Sequence, residues 1–342
     1  MKNIVALFWA VTLCVNISVA QDSTETNNRI KSRADDHAPI GVMGDHVHSV
    51  GEWMVSYRYM DMSMKGNLQK SDGITDMEIY QSYMVSPQEM TMNMHMVGVM
   101  HAPASWVTLM LMGNYSMSIM NLKMMSGMEF TTQSSGVSDT KFGGMFKLLK
   151  KSNHQIHANV MLSIPTGGVH LTDDTPMMTN AHLAYPMQTG SGTWDPTIGL
   201  TYIGKRKSLS VGTQTLFTSR MMKNKHDYNL GQKLESTAWL AVSATQSLSF
   251  SARAKFKFNS KIDGADLNFS PMVMPLFNSD NSGVRILEGL LGVNYLVTKG
   301  SLRNLRLAFE ISSPFIQNVH GIQMKKEWSG VVGVQYAFGY GH

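Results

Sequence analysis

Polar and apolar residues alternate along most of the chain between positions 51 and 338. In the last such segment Trp328, Val332 and Val334 fall on one face, and small or polar residues such as Gln335 fall on the other. Successive side chains of a β-strand point to opposite faces, so this period of two predicts strands with one apolar and one polar face. We count twelve such segments.

The connections between these segments alternate in length. The short ones lie at 102–104, 150–153, 205–207, 246–247 and 299–301, and the long ones at 66–89, 119–137, 166–193, 220–233, 259–282 and 314–325. An even number of strands with tight turns at one end and long loops at the other is typical of barrels in bacterial outer membranes. The pattern therefore predicts an all-β fold, a 12-stranded antiparallel up-and-down transmembrane barrel at 49–342. We expect both termini and the short turns on the periplasmic side and the long loops outside the cell.

A soluble β-sandwich explains the pattern less well, because its strands are shorter than these segments of about ten to thirteen residues. If the apolar faces contact lipid, the polar faces line the lumen. Charged side chains on those faces are then expected to set the selectivity of a pore. The lumen-lining residues predicted in this way are Glu52, Arg58, Lys141, Lys147, Arg253, Lys255, Lys257, Glu288, Arg306 and Glu310.

The first residues have the pattern of a secretory signal peptide. Lys2 precedes an apolar run at 4–15, and Ser18-Val19-Ala20 is followed by polar residues, so we expect a signal peptide at 1–20. Residues 21–48 are polar and without periodicity, which predicts a disordered segment, although a tether folded back into the pore stays open. The last strand ends in Phe338 and resembles the signal recognised by the outer-membrane assembly machinery.

The amino-acid composition excludes several kinds of functional site. The single cysteine, Cys14, lies in the predicted signal peptide, which leaves no disulfide or thiolate site in the mature chain. The net charge of +5 is dispersed, so we expect no nucleic-acid partner, and we expect no cofactor. A hydrolytic barrel would need a serine activated by a histidine. His157 and Ser163 share one face of a strand, but both are explained as ordinary residues of the lumen lining. We therefore expect no enzymatic activity.

Methionine is unusually frequent, with 30 in 342 residues. Methionine is a flexible apolar filler, but its thioether also selects soft ions such as Cu(I). The phasing predicts that the row Met92, Met94, Met96 and Met100 faces lipid and that other methionines face the lumen. Histidines are expected at the periplasmic rim. The candidate metal ligands are His46, His48, His101, His154, Met54, Met60 and Met62.

The third long connection has glycine-rich ends that permit tight reversals. It is expected either to fold into the pore mouth as a constriction, with Tyr185, Gln188, Trp194 and Asp195 as its candidate residues, or to remain a mobile external loop.

Three motifs carry a resemblance to a known family. The segments Ser163–Gly167 and Gly190–Asp195, together with Gly136–Lys141, resemble a family of outer-membrane transporters linked to the meta-pathway of phenol degradation. Gly51–Met60 is similar to its methionine-rich subgroup. The resemblance implies an outer-membrane channel or transporter for small solutes, with aromatic or apolar compounds as the expected class. Two alternatives stay open: a barrel that handles copper or silver, and a structural or adhesive barrel whose loops bind partners.

Overall fold

The computed structural model describes residues 33–339, and it contains a closed antiparallel barrel of 12 strands. Each strand pairs with its neighbours in sequence, and the last strand pairs with the first, which closes the barrel. The predicted fold class is therefore confirmed. The strands are β1 Glu52–Gln69, β2 Val85–Ala104, β3 Val107–Met124, β4 Thr140–Lys151, β5 His154–Ile164, β6 Asp195–Arg206, β7 Leu209–Thr218, β8 Lys233–Ser243, β9 Leu248–Asn259, β10 Val284–Leu296, β11 Leu305–Val319 and β12 Ile322–Gly339.

Short elements belong to the long connections. They are the strands Asp72–Ile74, Glu129–Val137, Thr172–Thr175, Met178–His182, Tyr228–Asn229 and Asp263–Gly264, the one-turn α-helix Asp76–Ile79, and the 3-10 turns Tyr185–Met187 and Pro275–Phe277. The strand Glu129–Val137 pairs with β3 and continues β4 beyond the barrel. Within residues 33–339, no helix has both the length and the apolar character needed to cross a membrane.

One expected long loop is a tight hairpin instead. The alternation predicts that this strand ends before Pro314, yet β11 continues to Val319 and β12 begins at Ile322. Pro314 lies opposite Glu288, where the β10–β11 register shifts. A bulge of this kind accommodates a proline because the residue has no ladder hydrogen bond to lose.

The outside of the barrel is apolar. Large hydrophobic side chains alternate outward along the strands and are exposed, among them Leu109, Leu111, Phe250, Leu307 and Phe309. The residues between them are buried on the inner side. An exposed apolar band around a closed barrel is the surface that a bilayer covers.

The methionine row of β2 faces the lumen, and its predicted lipid orientation is wrong. Met100 pairs with Met54, and both are almost fully buried; farther along, Met94 pairs with Met60. Directly opposite residues of an antiparallel pair share a face, so the whole row lies inside. Met100 is stable there because it packs in a cluster of buried methionines, and Met92, Met94 and Met96 are half-buried.

Candidate functional site

The described residues directly before β1 lie inside the barrel. Residues 33–51, here called the lumen segment, bury Ala34, Ala38, Ile40 and Val42. The sequence predicted disorder for 21–48, and this is wrong for 33–48, whereas 21–32 and the predicted signal peptide lie outside the described residues. A polar, non-periodic segment is ordered here because the lumen supplies partners for its polar groups.

Barrel side chains hold the backbone of the lumen segment. The His157 Nε2 donates to the carbonyl of Gly44 at 2.9 Å, and Gln214 Nε2 donates to that of Met43 at 2.9 Å. Thr108 Oγ1 accepts from the amide of His48 at 2.9 Å. His157 on β5 and Gln214 on β7 flank Thr201 of β6, and β3 lies two strands beyond β5, so these three contacts hold the segment against one side of the barrel.

Charged groups add further contacts. Lys205 Nζ lies 2.6 Å from Asp36 Oδ1, and Arg253 makes two 2.7 Å hydrogen bonds to Glu310. The Gly41 amide donates to the same Glu310 carboxylate at 3.1 Å. A Cβ at Gly41 would overlap both Arg253 and Glu310, so glycine allows this close approach.

Strand pairing places all ten predicted lumen-lining residues on the inner face. Six of them are buried, namely Glu52, Arg58, Arg253, Glu288, Arg306 and Glu310. Lys147 pairs with the buried His157, and Lys141 lies between the buried Met112 and Ser163. Their role in conduction stays a prediction.

A lysine-rich chamber occupies the lumen beyond the lumen segment. Lys233 pairs with Glu235 at 2.7 Å, while Lys255 lies 2.5 Å from Glu288 and Lys326 also contacts that carboxylate. The chamber is lined by five lysines and two glutamates on the strands: Lys141, Lys233, Lys255, Lys257, Lys326, Glu235 and Glu288. Five against two leaves a formal excess of three positive charges. Lys141 faces inward yet is solvent-exposed, so water reaches the chamber.

The long-loop end is covered by an apolar lid. Leu183, Ala184 and Met187 of the connection at 165–194 and Met274 and Leu276 of the one at 260–283 form its loop side. They pack against inward methionines of three strands, namely Met90, Met120 and Met324. Two loops and three strands of the barrel therefore share one hydrophobic core at the mouth.

Two of the four candidate constriction residues, Tyr185 and Gln188, lie in or next to this lid. Tyr185 is buried, and its hydroxyl accepts from the amide of Asp266 at 2.9 Å. Gln188 hydrogen-bonds the backbone of Leu183 at 2.6 Å, and Asp195 pairs with Arg220 at 3.0 Å. Trp194 has an exposed side chain, 47% accessible, and does not narrow the mouth.

Aromatic groups extend the lid. Tyr185 meets Tyr228 and Phe269 edge-on, with ring centroids 4.8 Å apart in both pairs, and Phe269 stacks on Phe277 at 4.5 Å. Burial raises the pKa of Tyr228 to about 12, so its hydroxyl stays neutral. The lid thus presents aromatic as well as aliphatic surface.

A loop histidine cluster, His170, His182 and His226 around Asp266, lies beside the lid and was missed by the sequence interpretation. His182 Nε2 is 3.1 Å and His226 Nδ1 is 3.6 Å from Asp266 Oδ2. The His170 ring centroid lies 4.6 Å from that of His182. Burial lowers the pKa of His182, although the charge of Asp266 opposes the shift. The residues come from three loops far apart in sequence, so no local motif could reveal the cluster.

A second histidine cluster lies in the lumen segment. The ring centroids of His37 and His46 are 4.0 Å apart, and those of His46 and His48 are 4.3 Å apart. His46 Nδ1 lies 2.9 Å from Asp45 Oδ1. Burial alone would raise the pKa of Asp45, but His46, the amide of Ala38 and Arg58 together lower it to about 2, so Asp45 is ionised.

The remaining candidate metal ligands separate into two groups. His101 stacks on the exposed Trp53, and His154 Nδ1 is hydrogen-bonded to the Tyr202 hydroxyl at 2.8 Å. Both histidines lie on the outer face, away from the histidines of the lumen segment, which corrects their expected grouping with His46 and His48. By contrast, the methionines lie inside. Met60 and Met62 line the wall, and a buried methionine cluster consists of Met54, Met100, Met110, Met112, Met145 and Met161.

Comparison with solved structures places this architecture among outer-membrane barrels. The chain is similar to an outer-membrane channel from Pseudomonas putida F1, with a TM-score of 0.59 and 11% sequence identity over 87% of this chain and 100% of that chain. It also matches the NanC porin (TM-score 0.44, 7% identity, 82% of this chain and 98% of that chain). No protein-family model matches the sequence, and no curated protein matches it.

The likeness to the Pseudomonas putida channel shows a shared fold, that of an outer-membrane β-barrel. This fold agrees with the exposed apolar band around the strands. The more specific resemblance to the transporters linked to phenol degradation stays a prediction.

Proposed function

We propose that the chain is an outer-membrane channel for small solutes and that it is closed in this conformation by the lid and the lumen segment. The carrying observation is the lumen segment itself, a stretch of chain that occupies part of the lumen without belonging to the barrel wall. It is held by side-chain hydrogen bonds and ion pairs, as between Lys205 and Asp36, and not by a strand ladder. Contacts of this kind can be exchanged without unfolding the barrel.

The preferred solutes are small organic anions with an aromatic or apolar part. The chamber favours negative charge, since five lysines face two glutamates there. The lid offers the rings of Tyr185 and Phe269 as an apolar surface on the way to it. A solute that carries both features is stabilised at both positions, whereas a neutral polar solute is stabilised at neither.

A matched pair of probes tests the proposal. Liposomes containing the full-length protein are assayed for uptake of benzoate and of benzamide, which have nearly the same size and differ in charge. We expect benzoate to enter faster, and we expect the difference to shrink as salt screens the lysines. Planar-bilayer recordings check for discrete openings. Absence of both conductance and benzoate uptake, even when the lumen segment is displaced by substitution, would contradict the channel function.

A further inference from the structure

The turn at 37–48 of the lumen segment gathers metal-binding groups. His37, Asp45 and His46 each place one ligand atom so that the three atoms lie within 4.8 Å of one another. The ring of His48 follows on the other side of His46, with its Nδ1 2.7 Å from Glu52. A modest contraction around an ion would bring the three ligand atoms to coordination distance.

Several imidazole nitrogen atoms of this turn make no hydrogen bond. In the described part of the chain, His37 Nδ1, His46 Nε2 and His48 Nε2 are buried and have no hydrogen-bond partner. Buried polar atoms are nearly always satisfied, so unpartnered imidazole nitrogens beside the Asp45 carboxylate need an explanation. Coordination of a cation would explain these unpartnered nitrogens, since neutral imidazole and carboxylate are ligands for copper and zinc.

The surroundings distinguish between these metals. His37 and Met54 line one small cavity of about 50 Å³. Met54 belongs to the buried methionine cluster, and Met43 and Val47 of the lumen segment pack against that cluster. Thioether sulfur binds Cu(I) far better than it binds Zn(II), because both partners are soft. The site therefore lies beside a cavity that Met54 shares with polar groups such as Glu52 and Arg306.

We propose that His37, Asp45 and His46 form a transition-metal site in the lumen segment and that Met54 makes it selective for Cu(I). This goes beyond solute conduction and does not depend on it. A bound ion ties position 37 to positions 45 and 46, so it holds the turn folded inside the barrel. Metal binding thereby stabilises the closed arrangement of the lumen segment.

The test uses the full-length protein in detergent, loaded anaerobically with Cu(I), desalted, and analysed for copper per chain. We expect one copper ion per chain, with nitrogen and sulfur neighbours in the X-ray absorption spectrum. The double variant His37→Ala/His46→Ala should lose the ion. The matched control His182→Ala/His226→Ala alters the loop histidine cluster and should retain it.

A second variant addresses selectivity without disturbing the fold. Met54→Leu keeps the side-chain volume, and it should weaken Cu(I) binding by at least about 10-fold while leaving Zn(II) binding unchanged. The site is refuted if the wild-type protein holds no copper, or if His37→Ala/His46→Ala holds as much as wild type. Equal Cu(I) affinity in Met54→Leu and wild type would overturn the role of the thioether. Far-ultraviolet circular dichroism verifies that every variant keeps its β-structure.

Discussion

Arg306 on β11 donates a hydrogen bond to the carbonyl of Ala38 at 2.9 Å, although 268 positions separate the two residues. The same guanidinium also reaches the carbonyl of His37 at 3.3 Å. Arg306 is buried, so its charge depends on these carbonyl dipoles and on Gln335. Removal of the lumen segment would expose this charge to lumen water, which compensates for the lost contacts. The contacts of Arg306 alone are therefore expected to contribute little to the free-energy difference between the closed and open states.

Gly41→Val tests whether the lumen segment closes the channel. The new side chain would overlap Arg253 and Glu310, and overpacking of this kind costs about 1 to 3 kcal/mol. Because the barrel wall is tightly paired and the segment is not, we expect the segment to move. Single-channel recordings should show a higher open probability than in wild type. Gly73→Val is the matched control, since no atom lies within 4 Å of a Cβ there, and it should behave as wild type.

The strands were predictable because their signal is local. Alternation at Phe250, Ala252 and Ala254 against Ser251 and Arg253 gives the strand and its two faces directly. What alternation does not give is which face points inward. The assumption that apolar residues contact lipid is correct for β9 and wrong for the methionines of β2, because the lumen of this barrel contains protein on which they pack.

The site itself was less predictable, for a topological reason. His46 and His48 were recognisable as a pair, but His37 joins them only because the segment turns inside the barrel. The loop histidine cluster likewise needs three loops to meet, so Asp266 gave no signal in sequence. The period and spacing of residues describe single strands or loops. The two histidine clusters form only when separate segments of the chain pack together.

Asp139→Asn should loosen the lid. Its carboxylate accepts from the amide of Gly167 at 3.0 Å and from the amide and hydroxyl of Ser191 at 2.8 and 2.6 Å, so it joins both ends of the loop. An amide cannot accept at both positions, and the loss should cost the closed loop about 2 to 3 kcal/mol. Hydrogen exchange across 166–193 should accelerate accordingly. Asp227→Asn, at an exposed loop position, should leave exchange unchanged; equal exchange in both variants would contradict the anchoring role.

Lys141→Met/Lys257→Met should reduce the preference of the open channel for anions. A unit charge about 10 Å away in water contributes about 0.4 kcal/mol, so removing two disfavours an anion and favours a cation by about 0.8 kcal/mol each and should lower the anion-to-cation permeability ratio about 15-fold. Reversal potentials in a salt gradient at low ionic strength measure this ratio in the Gly41→Val background. Lys223→Met/Lys225→Met removes the same charge from an exposed loop and should change the ratio far less. If both double variants shift it equally, the chamber is not the selective element.

The stability of the lid should depend on pH through His182. Burial holds the pKa of His182 below its ordinary value of 6.5, and the neighbouring His170 and His226 act in the same direction against the opposing charge of Asp266. When the lid opens, His182 returns to its ordinary pKa, so below about pH 6.5 the open state binds more protons than the closed state. The closed lid therefore keeps its full stability above that pH and loses stability as the pH falls below it.

Hydrogen exchange across 166–193, corrected for intrinsic rates, should show more frequent opening at about pH 5.5 than at about pH 7.5. His182→Gln should flatten this dependence, whereas His95→Gln, which alters a histidine on the outer face of β2, should preserve it. Equal opening of the wild-type lid at both pH values would refute the mechanism.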